Sequence, residues 1–216
     1  MNCLAYGGRV YTPPYSIRRS ALGLAIVLFL GLLPGLAAGQ RGHTRYDDTF
    51  RKYSKRFFGV GFDWRVFKAQ GMTESQLDPS AQSAVGARGV MQLMPSTFSE
   101  IQSKNPQLAS MDDVEWNIAA GIYHDRQQWR LWQDHVSVAD HTRFMFASYN
   151  AGRVPILTAQ RVAQEKALDP REWTSIEQVA PEVRRWRHRE TLDYVVRIGE
   201  NLTRLDPNGR VLIRQR

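Results

Sequence analysis

Apolar residues recur along this chain at spacings of three and four, a pattern that predicts helices almost throughout. Phe50, Tyr53, Phe57 and Phe58 share one face of a helix over Asp47–Phe58, with Asp48 placed to cap it. Val66, Phe67, Ala69 and Met72 form the face of a second helix, with Asp63 as its N-cap and Asp78-Pro79 as its exit into a turn. Pro95 suits the first position of a third helix carrying Phe98 and Ile101. Trp116, Ala119, Ala120 and Tyr123 predict a stripe that reaches Trp132. Val138–Tyr149 predicts another helix, stopped by Asn150-Ala151-Gly152, and Leu192, Val195, Val196, Gly199 and Leu202 mark a last long one. No alternating stretch is long enough for a sheet of any size. The expected class is therefore mainly α. A length of 216 residues suits one domain, or one domain with a leader.

The start of the chain has a different character. Residues 1–20 hold Arg9, Arg18 and Arg19 and no acidic residue; Ala21–Leu33 is an uncharged apolar run, followed by Pro34-Gly35 and Ala37-Ala38-Gly39. This is the layout of a secretory signal peptide. An uncleaved membrane anchor is the alternative, because the apolar stretch to Ala38 is nearly long enough to span a bilayer. The expected organisation is a signal peptide or N-terminal membrane anchor over residues 1–39 and a single domain over residues 45–216, placed in the periplasm or cell envelope. Cys3 is the lone cysteine and precedes the apolar run, so neither a disulfide nor thiolate chemistry is expected beyond the leader.

Charge narrows the partners. With the three leader arginines set aside, 26 Lys and Arg remain against 21 Asp and Glu. That balance suits anionic peptidoglycan stems, wall polymers, a membrane surface or nucleic acid. Arg184, Arg185, Arg187, His188 and Arg189 surround Trp186, a pattern that nucleic-acid binders use and that a solvated loop before a helix also produces. Export argues against nucleic acid, and none is expected as a partner. His124, His135, His141 and His188 lack the paired spacing of a zinc site. They read as surface or capping residues, and no metal or cofactor is expected.

Candidate chemistry concentrates in Glu74–Pro95, ESQLDPSAQSAVGARGVMQLMP. Glu74 stands where the second helix gives way to a loop bearing Pro, Ser and Gly. A lone Glu is most often a solvated surface residue. A carboxyl shielded by a loop folded back over it, however, holds its proton near neutral pH and can act as a general acid. Gly86 and Gly89 bracket Ala87-Arg88 and point to positive φ or close approach. Trp116, Trp129 and Trp132 read as core rather than as sugar platforms. Tyr149, at a helix end beside Asn150, is placed to reach into a groove. Glu190 reads equally well as a first-turn acid of the last helix.

Three ordered blocks carry a resemblance to a known family. GARGVMQLMPSTF, preceded by the Glu74-Ser75 pair, FASYNAG at Phe146–Gly152 and ETLDYVVRI at Glu190–Ile198 resemble the motifs of the lytic transglycosylases, enzymes related to goose lysozyme that cleave peptidoglycan. The phrases KAQGMTESQLDPSA and FMFASYNAG are most similar to the catalytic domain of the membrane-bound lytic transglycosylase F branch. The resemblance covers about residues 60–200. It implies a mainly α, lysozyme-like catalytic domain with a substrate groove. It also implies Glu74 as catalytic acid and base, with Ser83, Gln92 and Met94 lining the sugar site. Tyr149 and Asn150 match the third block's Tyr-Asn, the Tyr lying close to the Glu, and Glu190 matches an acid that contacts substrate. Val85 departs from the small polar residue that many relatives carry, which removes one hydrogen bond to substrate.

The implied reaction uses one Glu twice, without metal or cofactor. The Glu protonates the bond between N-acetylmuramic acid and N-acetylglucosamine, and then takes the proton from the muramic C6 hydroxyl, which closes a 1,6-anhydro ring. A hydrolytic muramidase on the same fold is the nearest alternative. From another class comes a non-catalytic peptidoglycan-binding subunit of an envelope machine or secretion system. Relatives of the F branch also carry a solute-binding-like domain ahead of the catalytic one. For that domain 216 residues leave no room, so regulation by it is not expected.

Overall fold

A computed structural model describes residues 44–206. The leader expected over residues 1–39 lies outside the described residues. In chain order the helices are α1 (Asp47–Phe58), α2 (Arg65–Ser75), α3 (Pro95–Lys104), α4 (Val114–Trp132), α5 (His141–Ala151), α6 (Arg153–Glu165), α7 (Trp173–Val179) and α8 (His188–Leu205). A single 3-10 turn, Ala180–Glu182, follows α7. Among the described residues the only β pairing is a pair of isolated bridges, Gln82 to Arg88 and Arg88 to Leu93. No helix among them is long and apolar enough to cross a membrane.

The helices α4 and α2 form the centre. Ile118, Ala119, Ala120 and Ile122 of α4 are fully buried, and α1 and α5 pack along it. Small residues on α4 let its neighbours come close: a Cβ on Gly121 would stand 2.7 Å from the Cβ and Cγ of Met91. α2 is buried over six consecutive positions, Val66 to Gly71, and lies against α8. A helix buried on every side must find partners for its polar residues. Lys68 does so with Asp47, and Gln70 with Tyr194 and Asp125.

Local chemistry explains most of the helix ends. Asp63 does not take the N-cap position of α2, which falls on Trp64; from one residue earlier its Oδ1 accepts from the Arg65 N–H at 2.9 Å in a local turn. Pro95 opens α3, and Asp113 caps α4 by accepting from the Trp116 N–H at 3.1 Å. Asp48 does not cap α1. Left-handed Tyr46 occupies that position, and Asp48 pairs with Arg51 at 3.0 Å, drawn there because the two lie on one face three residues apart. The helix expected over Val138–Tyr149 begins at His141, since Ser137 and Asp140 hydrogen-bond each other in a turn. His141 is also no surface residue. It is 5% exposed, its ring stacks on Trp129 at 3.5 Å, and Nε2 meets the Trp129 carbonyl oxygen at 2.8 Å. Trp132 is fully buried and donates from Nε1 to Ser148 Oγ at 2.9 Å, while Trp116 and Trp129 pack half-buried against the core.

Candidate active site

Glu74 is the penultimate residue of α2. The helix stops one residue later because Gln76 and Leu77 both turn left-handed, at φ 57° and 63°. That conformation is strained for residues other than glycine. It is held by the Gln76 N–H on the Met72 carbonyl at 3.0 Å and by burial of Leu77 at 4% exposure. Asp78 continues the turn, its Oδ1 accepting from the N–H and hydroxyl of Ser80 at 2.9 and 2.7 Å. The turn geometry expected of Asp78 is therefore what it adopts.

From this turn the chain loops over the end of α2 and is pinned from three helices. Ser75 Oγ of α2 donates to the Val90 carbonyl at 2.9 Å. Asn117 of α4 accepts from the Met91 N–H at 2.8 Å and donates to the carbonyls of Arg88 and Met111 at 3.1 and 3.2 Å. Tyr149 of α5 donates its hydroxyl to the Met91 carbonyl at 2.7 Å. Gly86 and Gly89 have φ of +91° and +76°, as their spacing suggests. At Gly89 the close neighbour is Asn117, whose Nδ2 would lie 2.5 Å from an added Cβ.

Two of the three loop residues named from sequence, Ser83 and Gln92, have their structural bonds within the loop. Ser83 Oγ accepts from the Ala87 N–H at 2.9 Å, which leaves its own proton to donate. Gln92, at φ 44°, donates from Nε2 to the carbonyls of Ala81 and Gly89 at 3.1 and 2.9 Å, leaving its amide oxygen available. Met94 is 38% exposed where the loop meets α3, and Val85 is 76% exposed near the loop tip.

The phenol that touches Glu74 is Tyr194, from α8, which donates to Oε1 at 2.6 Å. Tyr194 escaped the sequence reading because its place in the stripe Thr191, Tyr194, Val195, Ile198 looks like core, which it also is at 3% exposure. Its signal was position: it lies one turn beyond Glu190, in the block that carries the resemblance. Tyr149 comes near enough for the Glu74 charge to raise its pKa, after burial, which is the larger cause. Asn150 accepts from Thr191 Oγ1 at 2.9 Å, and Thr191 in turn accepts from Trp186 Nε1 at 3.0 Å. That chain ties α5 to the basic segment before α8. Glu190 stands exposed in the first turn of α8 and pairs with Arg187 at 2.8 Å.

Burial raises the Glu74 pKa to about 7, against the opposing pulls of the Tyr194 hydrogen bond and the Arg197 charge. Burial outweighs both because an ionised carboxylate loses far more hydration than one hydrogen bond returns. Below about pH 7 the group carries a proton to donate, and above it the group is a base. Since Tyr194 stabilises the ionised form, Tyr194→Phe is expected to raise the Glu74 pKa further. The descending limb of a pH–rate profile should move to higher pH, with turnover falling about tenfold. An unmoved limb would separate Tyr194 from the titration of Glu74.

Residues 50–171 match the model of the Transglycosylase SLT domain. The chain belongs to the SLT transglycosylase family. It is 34% identical over 124 residues to a membrane-bound lytic murein transglycosylase F of Desulfosudis oleivorans, covering 57% of this chain and 26% of that protein. A protein of the same name from Marinobacter nauticus is 32% identical over 137 residues, or 63% of this chain and 26% of the relative. The chain thus spans about a quarter of the length of these relatives. In three dimensions it resembles the 70 kDa soluble lytic transglycosylase of Escherichia coli, with a TM-score of 0.59 at 22% identity over 75% of this chain and 24% of the other. The fold is accordingly mainly α and lysozyme-like. The family match ends at residue 171, but the site does not, since Tyr194 of α8 reaches back to Glu74 across the SLT domain.

Proposed function

We propose that this chain is a peptidoglycan lytic transglycosylase in which Glu74 acts first as acid and then as base. The observation that carries the reading is the Glu74 carboxyl itself, held near neutrality at the mouth of a glycine-bearing loop in a member of the SLT family. The names of the similar proteins, lytic murein transglycosylases, support the same substrate. Protonated Glu74 donates to the glycosidic oxygen between N-acetylmuramic acid and N-acetylglucosamine. The substrate's N-acetyl group supports the oxocarbenium-like centre. Ionised Glu74, steadied by the Tyr194 hydroxyl and the Arg197 charge, then withdraws the proton of the muramic C6 hydroxyl, which attacks to form the 1,6-anhydro ring. Ser83, Gln92, Met94, Tyr149, Asn150 and Glu190 line the substrate groove in this reading.

A second carboxylate is what hydrolysis by the usual two-acid route requires. The other carboxyl in this network is Asp125, which is fully buried and so cannot hold a water against a sugar, and Glu190, the acid placed along the groove, is held in an ion pair with Arg187 at 2.8 Å. This favours the intramolecular reaction over the hydrolytic muramidase. A non-catalytic binding subunit would have no use for a carboxyl tuned to about pH 7. In this reading residues 45–216 are the catalytic domain, and residues 1–39 direct it to the envelope as a signal or an anchor.

The test is release of soluble fragments from purified cell wall by the full chain, with chelator present throughout. Release that survives chelation is expected, because no step above uses a metal. Wall that stays intact under a folded chain would favour the binding-subunit reading.

A further inference from the structure

Behind Glu74 runs a line of buried polar groups that the reaction above leaves unused. Gln70 and Asp125 are both fully buried, and they come from different helices, α2 and α4. Gln70 Nε2 donates to the Tyr194 hydroxyl oxygen at 3.2 Å and stands 3.3 Å from Asp125 Oδ1. Gln70 Oε1 and Asp125 Oδ2 have no hydrogen-bond partner among the described residues. Built for stability alone, this spot would be apolar, because half-satisfied buried polar groups are worse than well-packed hydrophobic ones.

The arrangement does have an effect on Tyr194. A phenol has one proton and can turn it either way. With a Gln70 N–H directed at the phenol oxygen, the proton has nowhere to go but Glu74. Were the Gln70 amide turned end for end, its oxygen would face Tyr194 and draw that proton away from Glu74. Asp125 Oδ1 prevents this by accepting the second amide hydrogen, which keeps nitrogen on that side. We propose that Gln70 and Asp125 are positioning residues for the reaction at Glu74, with Asp125 orienting the Gln70 amide and the amide directing the Tyr194 proton onto the Glu74 carboxylate. This rests on the reading of Glu74 as acid and base.

The charges around Glu74 are compatible with such a role. It faces Asp125 from α4, Tyr149 from α5, and Tyr194 and Arg197 from α8, with His124 of α4 against the Tyr149 ring at 5.1 Å. Burial, helped by the Glu74 charge and opposed by the Gln70 hydrogen bond, pushes the Asp125 carboxyl well above the usual range. Burial likewise raises the Tyr149 and Tyr194 phenols, which remain donors. The relay works through hydrogen-bond direction, from Asp125 through the Gln70 amide to the Tyr194 hydroxyl and Glu74.

The test follows the Glu74 carboxyl by carbon-13 NMR of the full chain labelled at glutamate Cδ, assigned with Glu74→Gln. This readout does not depend on turnover, so a failure of the proposed activity would not obscure it. Gln70→Leu is expected to raise the Glu74 midpoint by about 0.5 pH, because the Tyr194 hydrogen bond to the ionised form weakens. Turnover should fall about tenfold with KM unchanged. Asp125→Leu should reproduce both effects, and Asp125→Asn, which keeps the acceptor oxygen, should restore the wild-type titration. A Gln70→Leu chain that titrates and turns over as wild type overturns the proposal. So does an Asp125→Asn midpoint that falls, since Asp125 would then be acting on Glu74 directly through its charge.

Discussion

Glu74→Gln should lower turnover by about a thousandfold or more and, above pH 7, stabilise the fold. The first effect follows from the proposed role of Glu74 as the group that both gives and takes the proton, a contribution of roughly two to four orders of magnitude in general acid–base enzymes. The second follows from the direction of its pKa shift. The carboxyl rises from 4.5 to about 7 on folding, so between those values the native state binds more protons than the unfolded one. Stability relative to the Gln variant is then undiminished below pH 4.5 and lost as pH rises through 7. Ionising the wild-type carboxyl at pH 8 costs up to about 3 kcal/mol on that basis, less whatever solvent reaches the partly exposed residue. Thermal melts of the two proteins at pH 4 and pH 8 measure it. Curves that coincide at acid pH and separate at alkaline pH, with Gln the higher, are expected. Equal melting at pH 8 would mean that Glu74 ionises as freely as in water.

Gly89→Ala should cost about 3 kcal/mol or more, a fall of about 10 °C in Tm for a domain of this size. Two penalties combine. The backbone sits at φ +76°, and a Cβ would meet Asn117 at 2.5 Å from Nδ2 and 2.6 Å from Cγ. Asn117 cannot retreat, because its amide already holds the Met91 N–H and the Arg88 and Met111 carbonyls. Displacing it would also move Met91, the anchor of Tyr149, so activity should fall beyond what the lost stability explains. Gly86→Ala is the control. Its φ of +91° is also left-handed, but nothing stands within 4 Å of the new atom. Only the conformational penalty of about 1–2 kcal/mol is then expected. Equal losses for the two variants would show that Asn117 yields after all.

Much of this architecture is legible in the sequence. The faces of α1, α2, α4 and α8 are simple helical periodicities, and Pro95, Gly152 and Asp78-Pro79 mark boundaries through ordinary turn chemistry. The position of Glu74 at a helix end under a glycine-bearing loop was readable for the same reason. Two helices were missed. Gly152 reads as a stop, yet at φ +77° it both closes α5 and opens α6, and Pro155 fits the first turn of the new helix. α7 has seven residues, too few for a period to show.

The partners of Glu74 were harder to read. Tyr194 and Asp125 are separated from it by long stretches of chain and lie within apolar stripes, so neither pattern nor spacing marks them as polar contacts. Asn117, which organises the loop through three hydrogen bonds, looks in sequence like an ordinary first-turn residue of α4. What the sequence could not carry is which buried polar atoms meet once α2, α4 and α8 come together.

The most direct measurement is the mass of the muropeptides that the full chain releases from purified cell wall, with the Glu74→Gln chain beside it. Fragments ending in 1,6-anhydro-N-acetylmuramic acid, lighter by one water than their reducing-end counterparts and absent with Glu74→Gln, are the expected result. Reducing-end fragments from the wild-type chain would mean that water is the attacking group, contradicting the double role given to Glu74.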